Sequence, residues 1–275
     1  MEHNKSSLLK LGRVLRAVIL TFVVLSVLVV QVLAQEGQGE VNTPSLPNVV
    51  LVHGGWADGA SWSGVIQRLQ AKGYNVIAPN FTLFSPQEDA AKLRQVLSSL
   101  TGPTIVAGQS YGGEIMTALG TDAPNVAGLV YVTGWAPDTG ESIVSLAEPY
   151  SLSPALTELR VDAQGFAWIT PENYRDYFAA DVDPVQANVM YASQQPFSTN
   201  AFGAAIDTPA WKTIPTWYLL TTEDQMIPPE LQRFMAERMG ATVVEVASSH
   251  VPMVSHPDET AALIETAAQA VPVES

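Results

Sequence analysis

A serine flanked by glycines, Gly108-Gln109-Ser110-Tyr111-Gly112, stands directly after a β-branched apolar run and directly before a helical pattern. A hydroxyl held at such a strand-to-helix turn sits on strained backbone, and small neighbours leave room for the chain to close around it. The first turn of the following helix turns free N–H groups and the positive end of its dipole toward any negative charge that develops there. The five-residue pattern alone is a weak signal; its placement between strand and helix makes it a strong one. The chemistry that suits this geometry is nucleophilic attack on a carbonyl. That reaction further needs a base, a group that orients the base, and donors for an oxyanion.

The chain offers four histidines for the base. His3 lies in the N-terminal segment and His53 precedes a glycine-rich turn. His256 opens Pro257-Asp258-Glu259, which reads as a helix start and gives it a structural role. His250 follows the last β-rich run in a short loop after Ser248-Ser249, so it is the candidate base, with His256 its rival. Asp224 closes the run that begins at Thr216 and gives the chain order Ser, Asp, His. It is the candidate orienting acid. Glu223 beside it and Asp138 beyond another strand end are its rivals, each also readable as a solvated loop carboxylate. In His53-Gly54-Gly55-Trp56 the glycines let backbone N–H groups approach a substrate oxygen. The N–H groups of Gly55 and of Tyr111 are the candidate oxyanion donors, with Trp56 the rival for the first. The same turn also reads as a tight connection that needs glycine only for its dihedrals.

The elements that must position these residues follow from the apolar pattern. Runs at 48–53, 74–80, 103–109, 126–134, 216–222 and 242–247 predict strands, and their near-continuous apolar character predicts cover on both faces. Helical patterns at 60–72, 86–100, 111–120, 229–239 and 257–270 alternate with them. This rhythm predicts an α/β fold, a doubly wound and mostly parallel sheet. Residues 136–212 break it, reading as short helices and loops with aromatics spread from Tyr150 to Trp211. An insertion of this length predicts a helical cap over the site, its aromatics serving mainly as the cap's own small core.

The 275 residues, 47% apolar and 15% charged, suffice for one α/β domain with a large core. Four of the thirteen Lys and Arg and one of the twenty-seven Asp and Glu fall before residue 35, so the remainder carries a formal charge of −17. That surface repels phosphate backbones and anionic lipid, which excludes nucleic acid as an expected partner. Cysteine is absent, which removes disulfides, thiolate metal sites and a thiol nucleophile. No metal-ligand cluster or phosphate-binding glycine loop competes with the serine, so neither metal nor cofactor is expected. Basic residues up to Arg16, an apolar stretch at 17–33, small residues ending at Ala34 and a polar run have the order of a signal peptide. Cleavage after Ala34 would place the protein outside the cytoplasm, secreted or periplasmic. An uncleaved segment 17–33 would instead make a membrane anchor. Residues 35–47 read as a flexible lead-in, and 48–275 as the folded domain.

The runs VLVHGGWADGASW, GQSYGGE, VAGLVYVTGWAPDTGES, TTEDQMIPPELQRFM and SSHVPMVSHPDE together resemble the α/β-hydrolase superfamily. The branch they are similar to holds plant methylesterases, hydroxynitrile lyases and bacterial esterases such as pyrethroid hydrolases. The likeness spans roughly residues 48 to 270 and is weakest in the insertion. It implies an eight-stranded type of sheet reduced at its N-terminal edge, a helical cap, and a cofactor-independent Ser-His-Asp triad. Carried over residue by residue, it implies Ser110, His250 and Asp224 as triad, with Gly55 and Tyr111 as oxyanion donors. The plant lyases of the branch carry Thr after the first His and Lys after the catalytic His, where this chain has Gly54 and Val251. The expectation is therefore acyl transfer on a small hydrophobic carboxylic ester. The alternative is a non-hydrolytic member of the fold, lyase-like, perhydrolase-like or ligand-binding.

Overall fold

In chain order the strands are β1 (Asn48–Val52), β2 (Val76–Ile77), β3 (Thr104–Gln109) and β4 (Val126–Val132), then β5 (Arg160–Val161), β6 (Phe166–Trp168) and β7 (Phe197–Ser198) within the insertion, and finally β8 (Thr216–Thr221) and β9 (Thr242–Val246). They belong to a computed structural model that describes residues 46–271 apart from Leu152. The proposed signal or anchor segment and nearly all of the lead-in lie outside the described residues.

Six strands form one sheet in the order β2-β1-β3-β4-β8-β9, every pair parallel. This is the doubly wound α/β sheet expected from the strand–helix alternation. The registers Val52↔Gly108, Gln109↔Val132, Val132↔Leu219 and Thr221↔Val246 bring the C-terminal strand ends to one edge. The order reverses between β1 and β3, so the crevice beyond their ends is where such sheets place ligands. Ser110, His53-Gly54-Gly55, Asp224 and His250 all leave the sheet at that edge.

Helix limits follow from local chemistry. Ser85 accepts from the Glu88 N–H at the start of Pro86–Ser98, with Pro86 in the first turn. Pro229–Met239 starts on proline and stops at Gly240, whose φ of 64° closes the last turn. Helices Ser63–Ala71 and Pro257–Gln269 pack against one another, as do Pro86–Ser98 and Tyr111–Thr117, around one continuous apolar core.

Several expectations shift. The strand expected at 74–80 is only Val76–Ile77, because the Tyr74 N–H closes the preceding helix end on Leu69 O and Pro79 has no N–H for the ladder. β4 stops at Val132, where Thr133 turns to a φ of 44°. The helix expected at 60–72 begins as a 3₁₀ turn, Gly59–Trp62, capped by Asp58. β9 is not covered on both faces: it is the sheet edge, and Val243 and Val244 are 41% and 39% exposed. The insertion contains an antiparallel sheet, β5-β6-β7, besides helices. Strands of two or three residues are too short to show an alternation in sequence.

Candidate active site

Ser110 lies between β3 and helix Tyr111–Thr117 with φ 52° and ψ −122°, a conformation that costs an L-residue about 1–3 kcal/mol. The turn is over-determined. The Ser110 N–H donates to Val132 O (3.2 Å), and its carbonyl accepts from Gly113 N (2.9 Å) and Trp135 N (3.0 Å). A Cβ on Gly112 would collide with the Val52 carbonyl, and one on Gly108 with the Gly112 carbonyl. Glycine at both positions is therefore what lets the strands and the helix close beneath the serine.

His250 and Asp224 are brought together as the sequence suggested. His250 Nδ1 is 2.8 Å from Asp224 Oδ2, both side chains buried. Asp224 Oδ1 accepts from the N–H groups of Met226 (2.7 Å) and Ile227 (3.0 Å), which fixes the carboxylate from its own loop. Nδ1 is thus engaged and Nε2 is not, and His250 and Ser110 line the same cavity. Glu223 and Asp138 are not brought to the imidazole. The Glu223 backbone pairs with Ser248 O, and Asp138 forms an ion pair with Lys212. His256 stands outside as well, its ring 3.5 Å from Asp181 and 3.7 Å from Glu259.

The glycine turn faces the serine. A Cβ on Gly54 would fall 2.7 Å from Ser110 Cβ, and one on Gly55 2.7 Å from the Phe197 ring. Among the described residues the N–H groups of Gly55, Trp56 and Tyr111 have no acceptor, so all three are free to serve an oxyanion. The Trp56 side chain is otherwise engaged. Its indole N–H donates to Ala167 O of β6 (2.9 Å) and its carbonyl accepts from Tyr174 O–H (3.2 Å), which pins the turn to the cap. His53 is structural. Phe81 N–H donates to its Nε2 (3.1 Å), so Nδ1 carries the proton and donates to Gly54 O (2.9 Å). Burial lowers its pKa below the ordinary imidazole value and keeps it neutral.

Sequence reasoning missed the residues that hold these groups. Gln232, fully buried, donates to Asp224 Oδ2 (2.9 Å) and Ile227 O (2.8 Å) and accepts from Thr221 N–H (3.1 Å). The His250 carbonyl accepts from Gln109 Nε2 (2.9 Å) and Thr133 Oγ1 (3.3 Å). Tyr111 O–H donates to buried Asp89 (3.0 Å), fixing the residue that follows the serine. Glu114, three residues further along the same helix, is buried with neither oxygen partnered, and burial raises its pKa well above the usual carboxylate range. A polar residue inside an apolar helical pattern is the one signal that marks Gln232 and Glu114 in sequence.

A cavity of about 480 Å³ opens on Ser110 and His250. Its wall is apolar and partly aromatic, built from Trp56, Trp135, Phe197 and Phe202 with aliphatic side chains of the insertion and of the loop after Asp224. Trp56, Phe197 and Phe202 pack on one another at centroid distances of 4.8–6.2 Å. The insertion's aromatics thus divide between its own core, as with Tyr174 and Tyr191, and the cavity wall. Glu148 contributes the one carboxylate among the lining residues.

The alpha/beta hydrolase family model matches residues 49–263. A pyrethroid hydrolase of Sphingobium wenxiniae is 28% identical over 249 residues, covering 80% of this chain and 87% of that one. A polyneuridine aldehyde esterase of Rauvolfia serpentina is 21% identical, covering 79% and 94%. The crystal structure of a pyrethroid hydrolase from Sphingobium faniae superimposes with a TM-score of 0.71 at 26% identity, covering 82% of this chain and 98% of that one. With the parallel sheet and the serine turn at its C-terminal edge, these matches establish that the chain belongs to the alpha/beta hydrolase family.

Proposed function

We propose that the chain is a carboxylic ester hydrolase acting by Ser-His-Asp acyl transfer, with Ser110 as nucleophile, His250 as general base and Asp224 as the acid that orients it. The observation that carries this reading is the imidazole clamped on Asp224 with Nε2 left for the cavity where the strained Ser110 hydroxyl also opens. Hydrolase and esterase relatives support it at the level of reaction class.

His250 Nε2 takes the Ser110 proton as Oγ attacks the ester carbonyl carbon. The Gly55 and Tyr111 N–H groups hold the oxyanion, each such donor contributing about 3–4 kcal/mol to the transition state. Collapse breaks the ester C–O bond, and the alcohol leaves with the proton from His250. Water then attacks the acyl-enzyme, gives its proton to Nε2, and the acid departs as Ser110 recovers its hydrogen. Asp224 stays ionised throughout and keeps the Nδ1–H tautomer, which stabilises the imidazolium.

The substrate we infer is a small, uncharged hydrophobic ester. The apolar wall and the cavity volume support it, and the lone Glu148 carboxylate disfavours acidic substrates. Val251, fully buried after the base, supplies no cation there, which favours hydrolysis over a lyase reaction. We further propose export through the N-terminal segment, with the mature chain starting at Gln35. Hydrolysis of p-nitrophenyl esters of rising chain length tests the function. Wild type should turn over the short and medium neutral esters, and Ser110→Ala and His250→Ala should lose about 10⁴–10⁶ in rate. Activity near that of the wild type in either variant would refute the assignment.

A further inference from the structure

The loop that carries His250 is gripped from two sides. From the core, Gln109 and Thr133 hold the His250 carbonyl. From the cap, one side chain holds the two residues before it: Ser248 Oγ donates to Asp181 Oδ2 (2.8 Å) and Ser249 Oγ donates to Asp181 Oδ1. Asp181 lies between the π-type turn Tyr174–Phe178 and helix Pro184–Ser193, and its side chain is only 22% exposed. Ser249 Oγ also reaches Phe178 O at 3.5 Å, and the Phe178 ring stands edge-on to the His250 ring with centroids 5.3 Å apart. Ser255 and His256 close the cluster from below, Ser255 Oγ 3.0 Å from Ser248 Oγ and His256 Nε2 3.5 Å from Asp181. Burial pushes the Asp181 pKa up, but the hydroxyl donors of Ser249, Ser248 and Ser255 outweigh it and hold the group below its ordinary value. The carboxylate is thus ionised at neutral pH, and its hydrogen bonds are of the stronger, charge-assisted kind.

We propose that Asp181 is a positioning residue for His250: the cap carboxylate fixes the Ser248-Ser249 turn, and through it the imidazole, so that placement of the cap and placement of the base are coupled. The inference rests on His250 being the base of the proposed esterase. Without Asp181 the two hydroxyls lose their shared charged acceptor, and the 248–250 segment keeps its core anchor, the Asp224 contact and the weaker contacts to Phe178 and Ser255. A shift of about 1 Å in a reacting group costs up to about a hundredfold in rate. The loss should therefore fall on kcat, whereas a side chain that merely helped the cap to pack on substrate would act on KM.

The test uses the full-length chain with Asp181→Ala, Asp181→Asn, Ser249→Ala and the double variant Asp181→Ala/Ser249→Ala. Each is measured for ester hydrolysis, for the rate of fluorophosphonate labelling, and for solvent exchange of the His250 Nδ1 proton by NMR with labelled histidine. Asp181→Ala should lower kcat and the labelling rate together by about tenfold to a hundredfold, leave KM within a factor of about three, and hasten exchange of the Nδ1 proton. Asp181→Asn, which keeps an acceptor oxygen, should restore most of the rate. The double variant should be no worse than the poorer single one. An unchanged kcat, labelling rate and proton exchange in Asp181→Ala would overturn the proposal, as would a rise in KM alone or fully additive losses in the double variant. A wild-type protein that neither hydrolyses esters nor labels would sink the esterase reading instead, and the proton exchange would still decide whether Asp181 positions His250.

Discussion

Gln232→Met probes how far the site depends on a residue that touches no substrate. The change keeps volume and apolar packing but removes three buried interactions: the donor to Asp224 Oδ2, the donor to Ile227 O and the acceptor for Thr221 N–H. A hydrogen bond to a charged group contributes about 2 kcal/mol and each neutral one about 1 kcal/mol, so the loss is about 4 kcal/mol. For a domain of this size that lowers Tm by about 10 °C. The two backbone donors to Asp224 Oδ1 survive, and so does the contact to His250. The rate should therefore fall far less than in a triad deletion, about tenfold in kcat with KM little changed. Differential scanning calorimetry and steady-state ester hydrolysis read the two effects. A Tm within about 2 °C of wild type, or a loss as deep as that of His250→Ala, would refute the idea that Gln232 braces the Asp224 loop without joining the chemistry.

Other outcomes follow from the same geometry. Glu114 titrates at a raised pKa in the folded state, so its stabilising contribution is fully present below the usual carboxylate range and is lost above it, by about 1.4 kcal/mol per pH unit until the buried group ionises. Glu114→Gln should accordingly raise Tm over wild type more at pH 8 than at pH 5, and equal differences at the two values would contradict this. Gly112→Ala forces a methyl against the Val52 carbonyl and should destabilise by at least about 3 kcal/mol, read as loss of soluble protein or of the thermal transition. Phe202→Ala enlarges the cavity wall and should move the preferred ester toward longer or bulkier groups, which a chain-length panel would reveal as a shifted maximum of kcat/KM. Asp138→Asn breaks the Lys212 pair at the rim of the insertion and should leave kcat within about twofold, whereas a loss comparable to Asp224→Asn would make Asp138 the orienting acid.

Residues whose type and position both carry a constraint were legible before any coordinates. Gly108, Gly112 and the strand before Ser110 are such a set, because only glycine tolerates backbone that close. The strand ends at Val52, Gln109 and Thr221 were legible to within about a residue, since each closes a run buried in a parallel sheet, and the end at Val246 was legible because it closes a β-branched run. Less visible was anything that depends on how one element folds back onto another. Gln232 and Asp224 meet because helix Pro229–Met239 folds back beneath β8, and Asp181 meets Ser248 and Ser249 because the cap descends on the edge of the sheet. No local pattern in the chain announces either encounter. The cap strands failed for another reason: Arg160–Val161 and Phe197–Ser198 are pairs of residues, too short for periodicity, though Asp162 and Gly165 mark the tight turn between β5 and β6. Val243 and Val244 look like buried strand residues in sequence, and only the sheet order reveals them as an edge.

The most direct test of the central claim is reaction of the purified protein with a fluorophosphonate, followed by mapping of the adduct by mass spectrometry, with Ser110→Ala in parallel. An activated serine at the turn predicts one adduct, on Ser110, absent from the variant and much slowed in His250→Ala. A folded wild-type protein that takes up no label, or that carries it on another residue, would contradict the assignment of Ser110 as nucleophile.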